Sequence, residues 1–171
     1  MERLIRANVH YLEQASALLA RLDDGRFGRP VAGFYGSSVG GHLRHCIEHY
    51  LSFLAGMENG GRVDYDDRER NEVVETRTAN AEARVRDIKR SLEALLDQDP
   101  PVGILVKMDC GGDQIEWQPS TIGRELQFLV SHTVHHFAMI GGICRALDVE
   151  LETDFGVAPS TLRHRSQLES P

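Results

Sequence analysis

The chain has 171 residues, 41% hydrophobic and 26% charged, with a formal net charge of -7. That length and balance support one well-buried core and exclude both a disordered chain and two ordinary domains. The acidic balance, the lack of any lysine- or arginine-rich block and the scattered aromatics argue against a nucleic-acid partner.

The opening, MERLIRANVHYLE, reads as a helical start and not as a signal peptide. Leu4, Leu12, Ala15, Leu19 and Leu22 recur at three- to four-residue spacing, which predicts an amphipathic helix ending near Asp23-Asp24-Gly25. A loop with Gly28, Pro30, Gly33 and Gly36 follows. Ser37 or Ser38 can cap a second helix that runs to about Gly56, and Gly60-Gly61 stops it. The charge-dense stretch Arg62 to Asn71 reads as a connecting loop. Ala81, Val85, Ile88, Leu92 and Leu95 mark a third helix, ended by Asp99-Pro100-Pro101.

Val102 to Met108 and Gln114 to Gln118 flank Cys110-Gly111-Gly112-Asp113, the signal of a short β-hairpin. Pro119-Ser120-Thr121 then opens a fourth helix carried by Ile122, Leu126, Leu129, Ile140 and Leu147. The longest apolar run, Phe137 to Cys144, is broken by Gly141 and Gly142 and falls far short of a membrane span. From Glu152 the tail has no long period. The expectation is an all-α four-helix bundle over residues 1–150, with the hairpin between its third and fourth helices and residues 151–171 lying on it or trailing. Three cysteines (Cys46, Cys110, Cys144) without a CxxC pair fit free thiols in a reducing compartment, so the cytoplasm is the expected location.

Six of the eight histidines fall in two clusters, SVGGHLRHCIEHY (His42, His45, His49) and SHTVHHFAMI (His132, His135, His136). His132 and His136 are one helical turn apart and project from the same face. The inward stripe of the fourth helix reads Leu129, His132, His136, Ile140 and Ile143. An imidazole buried without a partner costs on the order of a few kcal/mol. A shared cation satisfies two at once, whereas bonds to carbonyls or carboxylates would have to be found for each. A third imidazole from the second helix would complete half of a coordination sphere and leave open positions for water or substrate. Spacing does not say which of His42, His45 and His49 supplies it, nor does it exclude that their face is solvated. Ser38, Ser52 and Gly56 lie along that same face and would suit a polar cavity wall.

His135 points about 100° away from His136 and belongs beside the site or on the surface. Glu125 lies seven residues before His132 on the same side of the helix. It can orient an imidazole, act as a general base, or simply be a solvated carboxylate favourable to the helix N-terminus. Cys46 and Cys144 read as small core residues. Asp64, Tyr65, Asp66 and Asp67 could bind a cation from a loop, but without a glycine-centred calcium-loop pattern they read as a solvated turn.

Ser38-Val39-Gly40-x-x-Leu43-x-His45 resembles the second-helix signature of the DinB-like superfamily, and His132-x-x-His135-His136 resembles its fourth-helix motif. The order of elements is similar too, over roughly residues 1–150. The resemblance implies an up-down-down-up bundle with a divalent metal (nickel, zinc, iron or manganese) held by His45, His132 and His136. It also implies a homodimer. Family members with assigned chemistry include thiol transferases and metal-dependent hydrolases or isomerases. Where the family often continues with Arg-Gly-Gln, this chain has Phe137-Ala138-Met139, which marks it as divergent. The expected function is therefore a metal-dependent hydrolase or thiol transferase acting on a small molecule, with Glu125 or His49 handling protons. The other class is a non-catalytic metal- or ligand-binding protein for sensing or stress.

Overall fold

The computed structural model describes residues 1–34, 36–97, 103–111 and 115–168. Four long helices make the body: α1 (Glu2–Leu19), α3 (Val39–Glu58), α5 (Thr78–Ala94) and α6 (Ile122–Ala146). Short helices α2 (Asp24–Phe27), α4 (Glu72–Thr76) and α7 (Pro159–Leu168) stand between or after them. The long helices pack as a ring in which α1 touches α5 and α6, and α3 touches α5 and α6. Sequence neighbours α1 and α3 thus lie across a diagonal, as do α5 and α6. The helices α3 and α6, which carry the histidines, are direct neighbours.

Each long helix exists because its apolar residues repeat at helical spacing and meet the others inside. Ile5, Leu12, Ala15 and Leu19 of α1 are buried, as are Val85, Ile88 and Leu92 of α5 and Leu126, Leu129, Ile140 and Ile143 of α6. Ser38 starts α3 by accepting the Gly41 amide at 2.9 Å, and Thr121 starts α6 by accepting the Arg124 amide at 3.2 Å. After α3 the chain turns at Gly60 and Gly61, both at positive φ.

A polar knot sits in the middle of the apolar core. Asn8 donates to the carbonyls of Leu4 and Leu126, Tyr50 donates to Asn8 Oδ1 at 2.9 Å, and Thr133 donates to the Tyr50 hydroxyl at 3.2 Å. Three helices are joined there with their polar atoms paired, as burial requires.

The expected fold class stands, with four local corrections. The stretch read as a loop after α3 contains β1 (Arg62–Asp64), which pairs in parallel with β2 (Ile104–Lys107). Buried Val63 and Tyr65 alternate there with more exposed Arg62 and Asp64, a period of two that the dense charge hides. The hairpin forms between β2 and β3 (Gln118–Ser120), with Ile104 opposite Ser120 and Val106 opposite Gln118; residues 112–114 of the expected turn lie outside the described residues. Pro119 and Ser120 consequently belong to the strand and not to the helix start.

The third correction concerns α6. Its fully buried stripe runs Leu126, Leu129, Thr133, Phe137, Ile140, while His132 and His136 stand one position to the side and only half-buried. They flank the core stripe and do not replace it. Fourth, Gly56 does not wall a polar cavity. A Cβ there would lie 2.5 Å from Val63 Cγ2 and 2.9 Å from the Arg62 carbonyl, so the small residue admits β1. The tail from Leu151 onward begins by packing on the bundle: Phe155 stacks on Phe137 at 4.7 Å, and Tyr11 donates to the Val157 carbonyl. It ends in the exposed helix α7, which the sequence showed only as residues without a long period. No helix among the described residues is long and apolar enough to cross a membrane.

Candidate metal centre

Capping fixes where α3 begins, and its packing fixes which way it faces. Gly40 lies under the Glu75 carbonyl of α4, at which any Cβ would point from 1.9 Å. Leu43, Ile47, Tyr50 and Phe53 turn into the core, which leaves His42, His45 and His49 toward the adjoining side of α6. There His45 Nε2 meets His132 Nε2 at 3.1 Å, and His42 Nδ1 meets His136 Nδ1 at 3.0 Å. The rings of His45, His132 and His136 are mutually 4.6–4.9 Å apart. One nitrogen from each lies within 4.8 Å of the other two. His49 closes the cluster from below, its ring 4.0 Å from His132 and 4.4 Å from His45.

The partners assign the protons. Arg68, from the loop after β1, donates through Nη1 to His45 Nδ1 at 2.8 Å. A guanidinium only donates, so that nitrogen carries a lone pair and neutral His45 holds its proton on Nε2. This proton is donated to His132 Nε2, which leaves the His132 proton on Nδ1, a buried atom without a hydrogen-bond partner. His49 donates from Nδ1 to the His45 carbonyl at 2.8 Å, so its Nε2 bears the lone pair.

Burial, reinforced by neighbouring histidine charges, pushes His45 down to about 3, His132 to about 2 and His136 to about 4. Burial likewise lowers His42, with the His135 charge adding to it. His49 is lowered by burial, against the opposing pull of its bond to the His45 carbonyl. All five imidazoles are therefore neutral at pH 7, the form that ligates metals.

The donor set fits a divalent cation. Two nitrogens each 2.0–2.1 Å from one ion stand about 3.0–3.4 Å apart, and the Nε2 pair is already at 3.1 Å; ligation through His45 Nε2 moves that proton to Nδ1 and releases the Arg68 Nη1 donor from it. Neutral imidazoles without thiolate are compatible with several divalent metals and single out none of them. Cys46 is no competitor, because it points into the core, where burial pushes its thiol up.

Of the residues expected from sequence, His45, His132 and His136 come together, and His49 lies against them. The solvated reading of Glu125 is corrected: the side chain is fully buried at the start of α6. It accepts hydrogen bonds from Tyr65 at 2.9 Å, Ser120 at 2.5 Å and Arg124 at 3.0 Å. Among the described residues no histidine bonds to it. Its link to the cluster is Tyr65, whose ring stacks on His49 at 5.5 Å. Phe128 stacks on His132 in the same way, also at 5.5 Å. Tyr65, Phe128 and Glu125 also line a cavity of about 280 Å³ with Val106, Met108 and Arg124. Sequence reasoning did not single out Arg68 or Phe128, and it read Tyr65 as part of a solvated turn, whereas Tyr65 is buried. Only Tyr65 left a signal, as the buried partner of Val63 in a strand.

The family description that matches residues 9–140 is the DinB superfamily. The chain is also 33% identical over 104 residues to a protein named FK506-binding protein 5 from Rhizopus delemar. That match covers 60% of this chain and 27% of the fungal protein, so the chain spans about a quarter of that relative's length. No solved structure matches.

Proposed function

The chain belongs to the DinB superfamily, and from that premise we propose that it is a divalent-metal-dependent enzyme acting on a small molecule, with hydrolase or thiol-transferase chemistry. His45, His132 and His136 hold the metal. The observation that carries this reading is the convergence of their nitrogens, from two helices, to within 4.8 Å. When bound, a divalent cation supplies Lewis acidity, which acidifies water or a thiol.

The remaining residues bind, orient and move protons. His49 accepts a proton at Nε2, because its Nδ1 is committed to the His45 carbonyl. Glu125 is a positioning residue: it anchors the Tyr65 hydroxyl and so holds the aromatic ring that lies on His49. Phe128 and Tyr65 form the wall shared by the histidines and the 280 Å³ cavity, which is of a size to take the body of a small substrate.

The experiment is elemental analysis of protein purified without a polyhistidine tag. About one equivalent of divalent metal is expected, lost in His45→Ala, His132→Ala and His136→Ala and retained in His135→Ala. Full metal content in the first three variants defeats the assignment. A non-catalytic metal- or ligand-binding role is the second reading, and the commitment of both Glu125 oxygens to other donors favours it. Absence of metal-dependent turnover across thiol-conjugation and amide- or ester-hydrolysis assays selects that role.

A further inference from the structure

Arg68 stands on the histidine cluster without a counter-ion. Its Nη1 is held by His45 Nδ1, a neutral acceptor, while its Nε is buried with no hydrogen-bond partner. Asp66, Asp67 and Glu69 flank it in sequence, yet among the described residues no carboxylate comes within 4.0 Å of it. Asp66 accepts from the Asp109 amide and Glu69 from Asn71. The buried carboxylates nearby are also engaged, Glu48 with Arg44 and Glu125 with Tyr65, Ser120 and Arg124.

A buried guanidinium nitrogen left unpaired is costly, and such a group calls for a partner, of which a bound anion is one that also answers its charge. The charge count leads to the same conclusion. The histidine ligands are neutral, so a divalent ion beside Arg68 would bring three positive charges to a site whose ligands contribute none. A guanidinium presents its donors as a planar fork, which matches the two oxygens of a carboxylate or phosphate.

We propose that Arg68 is the anion-anchoring residue of this site and that the small molecule taken there carries an oxyanion, a carboxylate or phosphate, docked on its guanidinium. The charge count rests on the metal reading; the unpaired Nε beside His45 does not.

The test is calorimetric titration of wild-type, Arg68→Gln and Arg68→Lys proteins with inorganic phosphate and, separately, with acetate, at constant ionic strength set by chloride. Each protein is titrated metal-free and zinc-loaded, with metal content and circular dichroism recorded. Saturable binding of phosphate or acetate to wild type is expected, and the arm that binds tells which oxyanion fits. Arg68→Gln is expected to weaken it at least tenfold at unchanged metal content, and Arg68→Lys, which keeps the charge and loses the fork, to fall between. Equal binding by wild type and Arg68→Gln overturns the proposal, as does the failure of both oxyanions to bind folded wild-type protein. If Arg68→Gln does not fold, Arg68→Lys decides: binding equal to wild type overturns the proposal, and weaker binding supports it. Loss of metal from Arg68→Gln with oxyanion binding intact makes Arg68 a mere support of His45 and also overturns it. Wild-type protein that holds no metal yet binds the oxyanion through Arg68 defeats the metal reading and leaves this inference standing.

Discussion

Glu125 enters α6 one residue after Arg124 and, itself fully buried, receives three side-chain donors. Truncation would leave the Tyr65 and Ser120 hydroxyls unpaired beside a hole. Glu125→Ala is therefore expected to cost about 2–4 kcal/mol in urea denaturation, and Glu125→Gln, which keeps the shape and part of the bonding, about 1 kcal/mol. Equal stabilities for the two variants would mean that the carboxylate holds nothing in place. At this scale the histidines were legible, because two imidazoles one turn apart next to an apolar stripe demand a partner. The choice of His45 over His42 and His49 followed from family likeness and not from spacing, since all three share one face. Arg68 was illegible: nothing in a run of alternating charges says which one turns inward. That is decided by where the loop after β1 leaves the sheet, and β1 is placed by its pairing with β2.

Elements were read more faithfully than their edges. The four long helices follow from apolar spacing, and their starts from Ser38 and Thr121, local signals that packing reinforces. The strand β1 escaped because three residues carry too little periodicity to outweigh their charge; its partner lies more than forty residues away. Gly56 is where the helix and the strand meet most closely. Gly56→Ala favours the helix intrinsically but drives a methyl into Val63, so a net loss of about 1–3 kcal/mol is expected. Because Tyr65 follows this strand, the same variant is expected to lower metal affinity without touching a ligand. Unchanged stability and affinity would show that β1 can shift away freely. The Thr133 stripe teaches a related point: a threonine can occupy the central buried position when a tyrosine hydroxyl awaits it, and histidines beside it then look more interior than they are.

For the molecule as a whole, the neutral histidine cluster couples folding to pH. In the unfolded chain each of these residues titrates near its ordinary value of about 6.5. In the folded protein burial holds His45, His132 and His136 neutral down to about 3, 2 and 4. Between those limits the unfolded state binds more protons, so stability is fully present above about pH 6.5 and is lost as pH falls. Each histidine contributes a slope of up to about 1.4 kcal/mol per pH unit. Metal-free protein is expected to show a falling urea midpoint from pH 7 to pH 5, with a shallower fall in His132→Phe. A midpoint independent of pH over that interval would contradict the buried neutral cluster.

The knot of Asn8, Tyr50 and Thr133 has a bearing on the metal centre that its position in the core conceals. Its interhelical donors and acceptors match at a single axial offset of α1, α3 and α6, and a slip of one turn, about 5.4 Å, would break all three of those bonds, sparing only the one from Asn8 to Leu4 within α1. It acts as a vernier for the bundle: the same setting that satisfies an amide and two hydroxyls brings residue 45 level with residue 132. The imidazoles are thus preorganised by the scaffold, and a cation arriving there finds the alignment already made.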